Sequence, residues 1–452
     1  MDSTIYAIAT AQGGAIGIVR VSGPGAIAAV DGIFQGKRTL ADAKPQSLLF
    51  GSIVDKSSTG ESKGSPQSVQ RSAGDSVNQK GGAVIDQVLV SVFRAPHSYT
   101  GQDCVEISCH GSSYILGKVC QLLSGAGCRQ ASGGEFTKRA YLNGKLDLVQ
   151  AEAVADLIAS ENAAQHRVAL QQMRGGISEK LAELRDQLLT MTSLMELELD
   201  FSEEDVEFAE RAQLMELALG IKAEIERLSG SFAAGNAIKN GIPVAIIGAP
   251  NVGKSTLLNA LLHDDRAIVS DIQGTTRDVI EDTMTIGGYL FRFIDTAGIR
   301  HTDDTIEKLG IERSMKAVQR AQTIILMRDA ENDFPEIETR PDQTVIKVVN
   351  KSDAFQAING TGMDWLQQQL LASVPRTQES DVLVTNIRHK EALDLALLDI
   401  DRTIQAMNCG MTGDLISEDL RQCLHHLSQI IGGQITPDEV LGNIFAHFCV
   451  GK

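Results

Sequence analysis

The chain has 452 residues, of which 22% are charged and 43% are hydrophobic, and its formal net charge at pH 7 is −17. This length is enough for about three domains, each able to bury its own core. The negative charge disfavours broad, non-specific binding of nucleic acid, so any RNA contact should be local or shared with a more basic partner.

The cysteines and the N-terminus bear on the compartment in which the chain works. Its seven cysteines form no Cys-x-x-Cys pair and their number is odd, which argues for a reducing compartment and against disulfides or a zinc site. The first residues lack the basic start and apolar run of a signal peptide. No stretch approaches the roughly 20 apolar residues that span a bilayer. We expect a cytoplasmic protein that does not enter a membrane.

The first predicted domain covers residues 1–120 and mixes short apolar strands, such as residues 16–21, with glycine-rich turns. Within this domain, residues 56–82 are rich in Ser, Gly and Gln and nearly free of large apolar side chains. Such a segment cannot bury enough surface to order itself, so we predict a flexible loop or insertion there.

Three further segments follow in the chain. Residues 121–239 are predicted to form the first half of a helical domain, in which apolar side chains recur at three- and four-residue steps between Ile177 and Met195. Residues 240–378 alternate strands and helices, as a parallel sheet requires. Residues 379–452 are predicted to be helical again. The predicted fold class is multidomain: an α+β N-terminal domain and an all-α bundle, with an α/β P-loop domain inserted into the bundle.

The inserted domain carries a phosphate-binding loop. Residues 248–255 match the pattern G-x-x-x-x-G-K-S/T at each fixed position, between an apolar strand and a helix. Backbone N–H groups and the helix N-terminus would surround phosphate oxygens, Lys254 would reach the β- and γ-phosphates, and Ser255 would supply an oxygen to Mg²⁺. The predicted nucleotide contacts of this loop are Asn251, Val252, Gly253, Lys254, Ser255 and Thr256.

Three more motifs predict that the nucleotide is GTP. An Asp-Thr-Ala-Gly motif follows an apolar strand, placing an acid near the metal and a glycine near the γ-phosphate; its residues are Asp295, Thr296, Ala297 and Gly298. Asp353 can accept hydrogen bonds from the N1–H and the exocyclic amine of guanine, a pair that adenine lacks, while Asn350 and Lys351 brace it. Thr276, in the polar loop 274–278, can complete the Mg²⁺ shell.

The segment after Asp353 is short. Only three residues separate Asp353 from Ala357, whose loop looks like the tail of the segment that touches guanine O6. A G domain normally places a helix and a last strand in this interval, and no room exists for them. Either the chain is naturally shortened here, or a stretch is missing from the sequence. The contacts to the base edge are therefore in question, whereas phosphate binding is not.

Outside these motifs, the chain resembles the bacterial MnmE (TrmE) family of tRNA-modification GTPases along nearly its whole length. The resemblance rests on blocks that stand in the family's order around the inserted G domain: residues 18–23, 98–103, Glu106 with 110–111, 134–140, 142–148 and 448–452. A generic translational GTPase shares only the nucleotide motifs.

The resemblance implies a fold, an activity and partners. The N-terminal domain would dimerise and bind 5-formyl-tetrahydrofolate or a related folate, followed by a helical bundle and a Ras-like G domain. GTP hydrolysis would accompany addition of an aminomethyl or carboxymethylaminomethyl group to C5 of the wobble uridine of certain tRNAs. The homodimer would act with the partner MnmG (GidA), which carries FAD and uses NADH, in a heterotetramer-type complex.

The resemblance also assigns a folate site. Its members would be Arg20, Glu106, Lys145 and Lys452. Arg and Lys side chains can hold folate carboxylates, and a glutamate can accept hydrogen bonds from pterin N–H groups. Cys449 would line the site, and it stays open whether this thiol is a nucleophile toward the uridine, a redox group or simply packed.

The hydrolytic machinery departs from that of many small GTPases, because Ile299 stands where they place a water-orienting glutamine. The resemblance supplies Glu307 for this role, although an acid there is also typical of a first helical turn. It further implies a bound K⁺ in place of an arginine finger, caged by Asn251, Ser270, Ile272 and Thr275. Arg277 and Arg300 could serve as fingers or as ion pairs across a G-domain dimer.

Two other classes of function stay open from the sequence. One is a regulatory or ribosome-assembly GTPase without modification chemistry, which would not bind folate. The other is a folate-binding scaffold whose G domain only senses nucleotide, in which blocked hydrolysis would leave tRNA modification intact.

Overall fold

The computed structural model describes residues 3–11, 13–56, 82–200, 211–262, 282–294, 315–375, 378, 381–432 and 451. The predicted flexible loop over residues 56–82 lies almost entirely outside this part of the chain. Two compact units are present, one of residues 1–155 with 435–452 and the other of residues 156–434. No helix in the described ranges is long and apolar enough to cross a bilayer.

The first unit is built on a seven-stranded sheet with the order β3-β4-β5-β6-β2-β1-β7. Neighbouring strands are antiparallel except for β1 and β7. The strands are β1 (Ile5–Ile8), β2 (Ile16–Ser22), β3 (Phe34–Gly36), β4 (Ser47–Asp55), β5 (Ala83–Phe93), β6 (Cys104–His110) and β7 (Arg129–Gln130). The helices are α1 (Ala26–Ile33), α2 (Ser113–Gly125), α3 (Glu135–Leu142) and α4 (Leu148–Ala159), the last of which extends into the second unit.

Helices α1 and α2 cover one face of this sheet. Val30 of α1 and Val119 of α2 join Val19, Val90 and Ile107 of the strands in one buried cluster. The alternation of buried and exposed residues along β5 and β6 produces this face, because successive strand side chains point to opposite sides. This compact unit extends to residue 155, whereas the composition of the sequence predicts a first boundary at residue 120.

Within the described residues, the helical part of the second unit contains six helices besides the end of α4. They are α5 (Ala163–Met173), α6 (Gly176–Asp200), α7 (Arg211–Gly230), α8 (Phe232–Asn240), α11 (Ile387–Asn408) and α12 (Gly413–Ile431). Helix α11 packs against α7 and α12, and α12 packs against α6. Lys222 of α7 also pairs with Asp401 of α11 at 2.7 Å. The helices before and after the nucleotide domain therefore form one bundle.

The apolar stripe predicted on α6 is confirmed as bundle core. Each of its members is at most 5% exposed: Ile177, Leu181, Leu184, Leu188, Met191 and Met195. Their three- and four-residue spacing places them on one side of the helix, which the bundle covers.

The nucleotide domain is a five-stranded sheet with the order β12-β11-β8-β10-β9, parallel except for the β9–β10 hairpin. Its elements include β8 (Ile242–Gly248), α9 (Lys254–Leu262), β9 (Asp282–Ile286), β10 (Tyr289–Phe293), β11 (Thr323–Arg328), β12 (Thr344–Val349) and α10 (Met363–Ala372). Residues 350–362 lead from β12 to α10 with only an isolated bridge between Gln356 and Thr361. The interval after Asp353 therefore holds no further helix or strand.

Candidate functional site

The phosphate-binding loop lies where the sequence predicts it, between the end of β8 and the start of α9. Asn251 and Gly253 adopt left-handed backbone conformations, with φ of 62° and 95°. A Cβ atom added to Gly253 would lie 2.3 Å from the Asn350 Nδ2 atom. Only glycine fits there, because a side chain would clash with Asn350 and would strain the backbone. The loop thus turns sharply into the N-terminus of α9, and the N-terminus of a helix is a place where backbone N–H groups bind anions.

Lys254 is held inside this loop. Its Nζ atom donates hydrogen bonds to the carbonyl oxygens of Gly248 and Ala249, each at 2.8 Å. Burial lowers the pKa of Lys254, because the charged ammonium is partly removed from water. The ammonium therefore lies at the loop carbonyls, ready to exchange them for stronger, charged acceptors such as phosphate oxygens.

Asn350 joins three segments of the nucleotide site. Its side chain is almost completely buried; Nδ2 donates to the Val252 carbonyl oxygen at 2.8 Å, and Oδ1 accepts from the Ala357 N–H at 3.0 Å. The phosphate loop, the end of β12 and the loop at Ala357 are thus fixed to one another. The short connection after Asp353 still brings Ala357 beside Asn350, whereas the contacts of this segment with a guanine base stay a prediction.

Lys351 and Asp353 lie on the exposed side of the same turn. The Lys351 Nζ atom donates to the Asn251 carbonyl oxygen at 3.0 Å and lies 3.6 Å from Asp329 Oδ2. Asp353 is exposed in a turn that Ser352 closes by accepting the Phe355 N–H. Asp353 is therefore accessible to a ligand, and its contact with a guanine base stays a prediction.

Asp329 is a member of this site that sequence reasoning missed. It follows β11 directly, and its carboxylate accepts hydrogen bonds from the backbone and side chain of Asn332. Hydrogen bonding from Asn332 is the main cause that lowers the pKa of Asp329, so the group stays ionised beside the ammonium of Lys351. The available signal was a carboxylate at the carboxyl end of a buried parallel strand, where ligands bind in such sheets.

Several predicted residues lie outside the described ranges, and their roles stay predictions. They are Ser270, Ile272, Thr275, Thr276, Arg277, Asp295, Thr296, Ala297, Gly298, Ile299, Arg300, Glu307, Cys449 and Lys452. Ser255 and Thr256 lie in the first turn of α9, next to Lys254, as predicted from the motif.

A second cluster of charged groups lies in the first unit. The β2–β6 register places Arg20 directly opposite Glu106, and Arg20 Nε lies 2.9 Å from Glu106 Oε1. Arg20 Nη1 donates to the Gly451 carbonyl oxygen at 3.1 Å. The guanidinium carbon also lies 5.6 Å and 5.7 Å from the ring centres of Tyr99 and Phe136. A carboxylate, a carbonyl and two aromatic rings therefore surround the cation.

Gly451 brings the end of the chain to the N-terminal domain. Its φ is 103°, and an added Cβ atom would lie 2.5 Å from the Ile8 carbonyl oxygen. A side chain is excluded both by this contact and by the backbone conformation. The contact with Arg20 connects positions 431 residues apart in sequence.

Lys145 reaches the same region through the loop that carries Tyr99. A Cβ atom added to Gly101 would lie 3.2 Å from the Lys145 Cγ atom, so the lysine stem runs along this loop. Asn143 donates to the Thr100 carbonyl oxygen at 2.6 Å and ties the end of α3 to it. Three of the predicted folate residues are thus connected through one loop and one strand pair.

The block 134–140 braces this domain. The Glu135 carboxylate accepts hydrogen bonds from Arg129, Arg139 and the Ser132 N–H. Burial alone would raise the pKa of Glu135, but these hydrogen bonds outweigh it and lower the pKa to about 2. From the sequence, this block served only to recognise a family. In the structure, its Glu135 holds Arg129, Ser132 and Arg139 together.

Family models cover nearly the whole chain. The model described as the N-terminus of the GTP-binding protein TrmE matches residues 4–145, and the model of the MnmE helical domain matches residues 148–449. Both boundaries lie near the division between the two compact units.

Curated relatives match from end to end. Proteins named tRNA modification GTPase MnmE from Parabacteroides distasonis and Christiangramia forsetii are 51% identical over 485 residues and 45% identical over 498 residues, with 100% of each chain covered. These alignments are longer than the 452-residue chain, so the chain lacks segments that these relatives have. A solved structure of a variant of Era from Aquifex aeolicus is 26% identical and covers 34% of this chain and 65% of Era, at a TM-score of 0.22, too low to carry an argument. By its sequence over its full length, the chain belongs to the MnmE family of tRNA modification GTPases.

Proposed function

We propose that this chain binds and hydrolyses GTP and, with the flavoprotein MnmG (GidA), adds an aminomethyl or carboxymethylaminomethyl group to C5 of the wobble uridine of certain tRNAs. The observation that carries the proposal is the Arg20–Glu106–Gly451 cluster. A purely regulatory GTPase requires only its nucleotide site. Here a separate unit holds the Arg20 cation between two rings, a carboxylate and a carbonyl near the end of the chain.

The nucleotide half of the proposal is supported by the phosphate loop and by the hydrogen bonds of Asn350 that hold this loop in place. The space above Gly253 admits no side chain, and Asn350 fixes the loop to the segments at Asp353 and Ala357. This preorganisation lets backbone N–H groups and Lys254 hold the phosphates while Asp353 reads the guanine edge. Adenine lacks the paired donors that a carboxylate at Asp353 requires, so the site should prefer GTP.

The cations of this site would be held by residues of both the described and the undescribed segments. Ser255 and Thr276 would hold Mg²⁺, and K⁺ would be held by Asn251, Ser270, Ile272 and Thr275. The fit is supported by the chemistry of Asn251, which lies at the exposed rim of the loop and carries a side-chain amide oxygen, a ligand type that suits a hard cation. When bound, the two cations would neutralise charge that develops on the phosphates, while Glu307 would orient the attacking water.

The folate half is supported by the charges and rings around Arg20. Arg20 and Lys145, with Lys452, would bind the carboxylates of 5-formyl-tetrahydrofolate or a related folate, and Glu106 would accept from its N–H groups. Tyr99 and Phe136 offer flat apolar faces beside the guanidinium. The folate would supply the one-carbon unit, and the residues of this chain would bind and orient it.

A homodimer is supported by the outer face of the N-terminal sheet. Leu48 and Phe50 of β4 and Leu89 of β5 are 62%, 64% and 42% exposed. The register pairs Phe50 with Leu89, and Ser91, two residues on, with Glu106 of β6. These apolar side chains therefore share a face with Glu106 and Arg20, because residues two apart on a strand point the same way. A second copy would cover this face and place the folate site beside the interface.

The remaining parts of the proposal concern partners and place. The tRNA contact would be shared with MnmG, which carries FAD and uses NADH, because a chain of net charge −17 attracts RNA poorly by itself. The complex would be of the heterotetramer type, with two copies of each protein, and would work in the cytoplasm.

The main test is nucleoside analysis of tRNA from a deletion strain, with and without a plasmid that carries this chain. We expect the C5 modification of the wobble uridine to disappear in the deletion strain and to return with the plasmid. Unchanged modification would favour a regulatory or ribosome-assembly GTPase.

Calorimetry tests the folate site directly. The full chain should bind 5-formyl-tetrahydrofolate, Arg20→Ala should bind it at least tenfold more weakly, and Arg38→Ala, an exposed arginine of the same unit, should bind as the wild type does. Equal folate binding by the two arginine variants would contradict the site.

Sedimentation tests the proposed dimer face. Phe50→Asp should sediment as a monomer, whereas the wild type should sediment as a dimer.

A further inference from the structure

Helix α5 meets the β9–β10 hairpin at its tip. The Ala164 N–H in the first turn of α5 donates to the Gly288 carbonyl oxygen at 3.2 Å. A Cβ atom added to Gly288 would lie 3.6 Å from the Ala163 Cβ atom, in van der Waals contact. The tip is held from the other side too, because a Cβ atom on Gly287 would lie 2.6 Å from the Leu371 Cδ2 atom of α10. The hairpin tip is therefore fitted between two helices.

Tyr289 belongs to two cores at once. It packs against the core of the nucleotide domain and against a small separate cluster of Ala164 and Val168 of α5, Ile238 of α8 and Leu383. This half-buried ring is the apolar part of the contact between hairpin and helix. A shift of β10 cannot leave α5 in place unless the ring gives up one of its two sets of neighbours.

Helix α5 in turn contacts both chain crossings between the nucleotide domain and the bundle. Gln165 Nε2 donates to the Lys239 carbonyl oxygen at 2.9 Å, close to where α8 leads into β8. Gln172 is 5% exposed, and its Nε2 donates to the Leu383 carbonyl oxygen and to Thr385 Oγ1, each at 3.0 Å, where the chain returns toward α11. Helix α5 thus contacts the hairpin, the segment that leads into the nucleotide domain and the segment that leads out of it.

The position of the hairpin in the chain connects its contact with α5 to the nucleotide site. Strand β9 follows the polar loop 274–278 and β10 ends two residues before Asp295, so the hairpin joins two of the predicted GTP-contacting segments. Beside α5 lies a cavity of about 130 Å³, lined by Asp156 and Gln165 among others, which leaves room for the helix to shift.

We propose that α5 is the coupling element by which the nucleotide state of the G domain is transmitted to the helical bundle, with Tyr289 as its positioning residue. This inference rests on the proposed function only for its biological purpose, namely that hydrolysis drives tRNA modification. Its physical content is independent of that purpose: the hairpin and α5 move as one body when the nucleotide changes, and the ends of α11 respond.

The first experiment measures hydrogen exchange of the full chain with and without a non-hydrolysable GTP analogue. The wild type should show a nucleotide-dependent change of exchange in peptides covering α5 and residues 381–390. Tyr289→Ala should lose this change while nucleotide affinity and GTP turnover stay as in the wild type, and Tyr289→Phe should retain it. No nucleotide-dependent change at α5 in the wild type, or its persistence in Tyr289→Ala, would overturn the inference.

A reversible cross-link separates loss of coupling from loss of folding. The 3.6 Å separation at Ala163 and Gly288 falls within the Cβ–Cβ range of a disulfide, about 3.5–4.5 Å. Ala163→Cys with Gly288→Cys, added to Tyr289→Ala in a Cys409→Ser background that removes an exposed thiol, should restore the nucleotide-dependent exchange when oxidised and lose it again when reduced. The control carries Gly288→Cys without the second cysteine, since Gly288 has a φ of 84° and the substitution itself strains the turn. No restoration on oxidation would contradict the coupling role.

Modification of tRNA is the second readout. Tyr289→Ala should lower wobble-uridine modification by about 5- to 150-fold, the range of typical coupling between sites, at unchanged GTP turnover. If the exchange experiment succeeds and tRNA carries no modification that depends on this chain, the coupling stands and the proposed function fails. If modification depends on the chain but Tyr289→Ala leaves it unchanged, the coupling is wrong and the proposed function stands.

Discussion

The nucleotide loop and the N-terminal site hold their cations in different ways. Lys254 bonds to Gly248 and Ala249, which lie six and five positions away in the chain. Arg20 bonds to Glu106 and Gly451, which lie 86 and 431 positions away. The contacts of Lys254 need only a strand, a turn and a helix, although Asn350 also fixes this loop from 98 positions away. The second exists only after the sheet has paired and the chain end has returned, so it should fail under changes that leave the first intact.

The largest expected effect is that of deleting Cys449 to Lys452. Gly451 provides a carbonyl partner of Arg20, so its loss should open the N-terminal site and abolish wobble-uridine modification. GTP turnover should survive, because the contacts described for the phosphate loop are with Asn350 and Lys351 and with its own residues, not with the deleted residues. Calorimetry should show weaker binding of 5-formyl-tetrahydrofolate to the truncated chain, with Lys452→Ala as the smaller matched change. Full modification by the truncated chain would remove the C-terminus from the active site.

Glu307→Ala is the reverse test, in which the nucleotide region is changed and the N-terminal site is left intact. If Glu307 orients water, turnover should fall by about one to three orders of magnitude while GTP affinity stays nearly intact, the effect typical of losing a positioning or general-base group. Glu312→Ala, an acid of the same segment, serves as the control and should be close to the wild type. A parallel fall of affinity and turnover would mean that Glu307 is a structural residue.

The dependence on K⁺ sharpens the comparison within the nucleotide region. Replacing KCl by NaCl, or Asn251 by alanine, should lower GTP turnover by about 100-fold, as removal of a charge-stabilising group from a transition state does. Nucleotide affinity should change less, because the cation acts chiefly on charge that develops during reaction. Equal turnover in the two salts would contradict a potassium site.

Asp353→Asn asks whether the shortened segment still reads the base. GTP affinity should fall by about 10- to 100-fold, since the variant loses hydrogen bonds to a charged acceptor. Xanthosine triphosphate, which has a carbonyl where guanosine triphosphate has its amine, should bind better than to the wild type. Asp342→Asn, an exposed carboxylate of the same domain, controls for charge. An unchanged preference for GTP would show that Asp353 does not read the base.

The smallest effect should come from Glu135→Gln. The depressed pKa of about 2, against 4.5 for a free glutamate, stabilises the folded state at pH values above 4.5, and this stabilisation is lost as the pH falls toward 2. At pH 7 the variant should lose about 1–3 kcal/mol of unfolding free energy in the first unit, after allowance for solvent screening. Urea unfolding should show this difference shrinking between pH 4.5 and 2, while GTP affinity at pH 7 is unchanged. A difference that does not vary with pH would contradict the ionic brace.

The nucleotide loop could be predicted because its chemistry is local. The glycines, Lys254 and the flanking apolar strand and helix are adjacent in the chain, and backbone geometry at Gly253 follows from the lack of a side chain. The apolar spacing on α6 likewise predicted a buried face. The extent of the N-terminal unit was less predictable from composition, because helices α2 and α3 belong with the strands only through packing that no local pattern reveals.

The amino-acid sequence by itself determined the order of elements, the phosphate loop, the preference for guanine and the family, since each depends on residue types at short or fixed spacing. Only the tertiary structure decided that Asn350 clasps Val252 and Ala357, and that Arg20 meets Glu106 and the chain end. The same holds for the contact of α5 with the β9–β10 hairpin. Contacts of this kind form between residues far apart in the chain, and their partners are selected by strand register and side-chain packing, which a linear pattern does not encode.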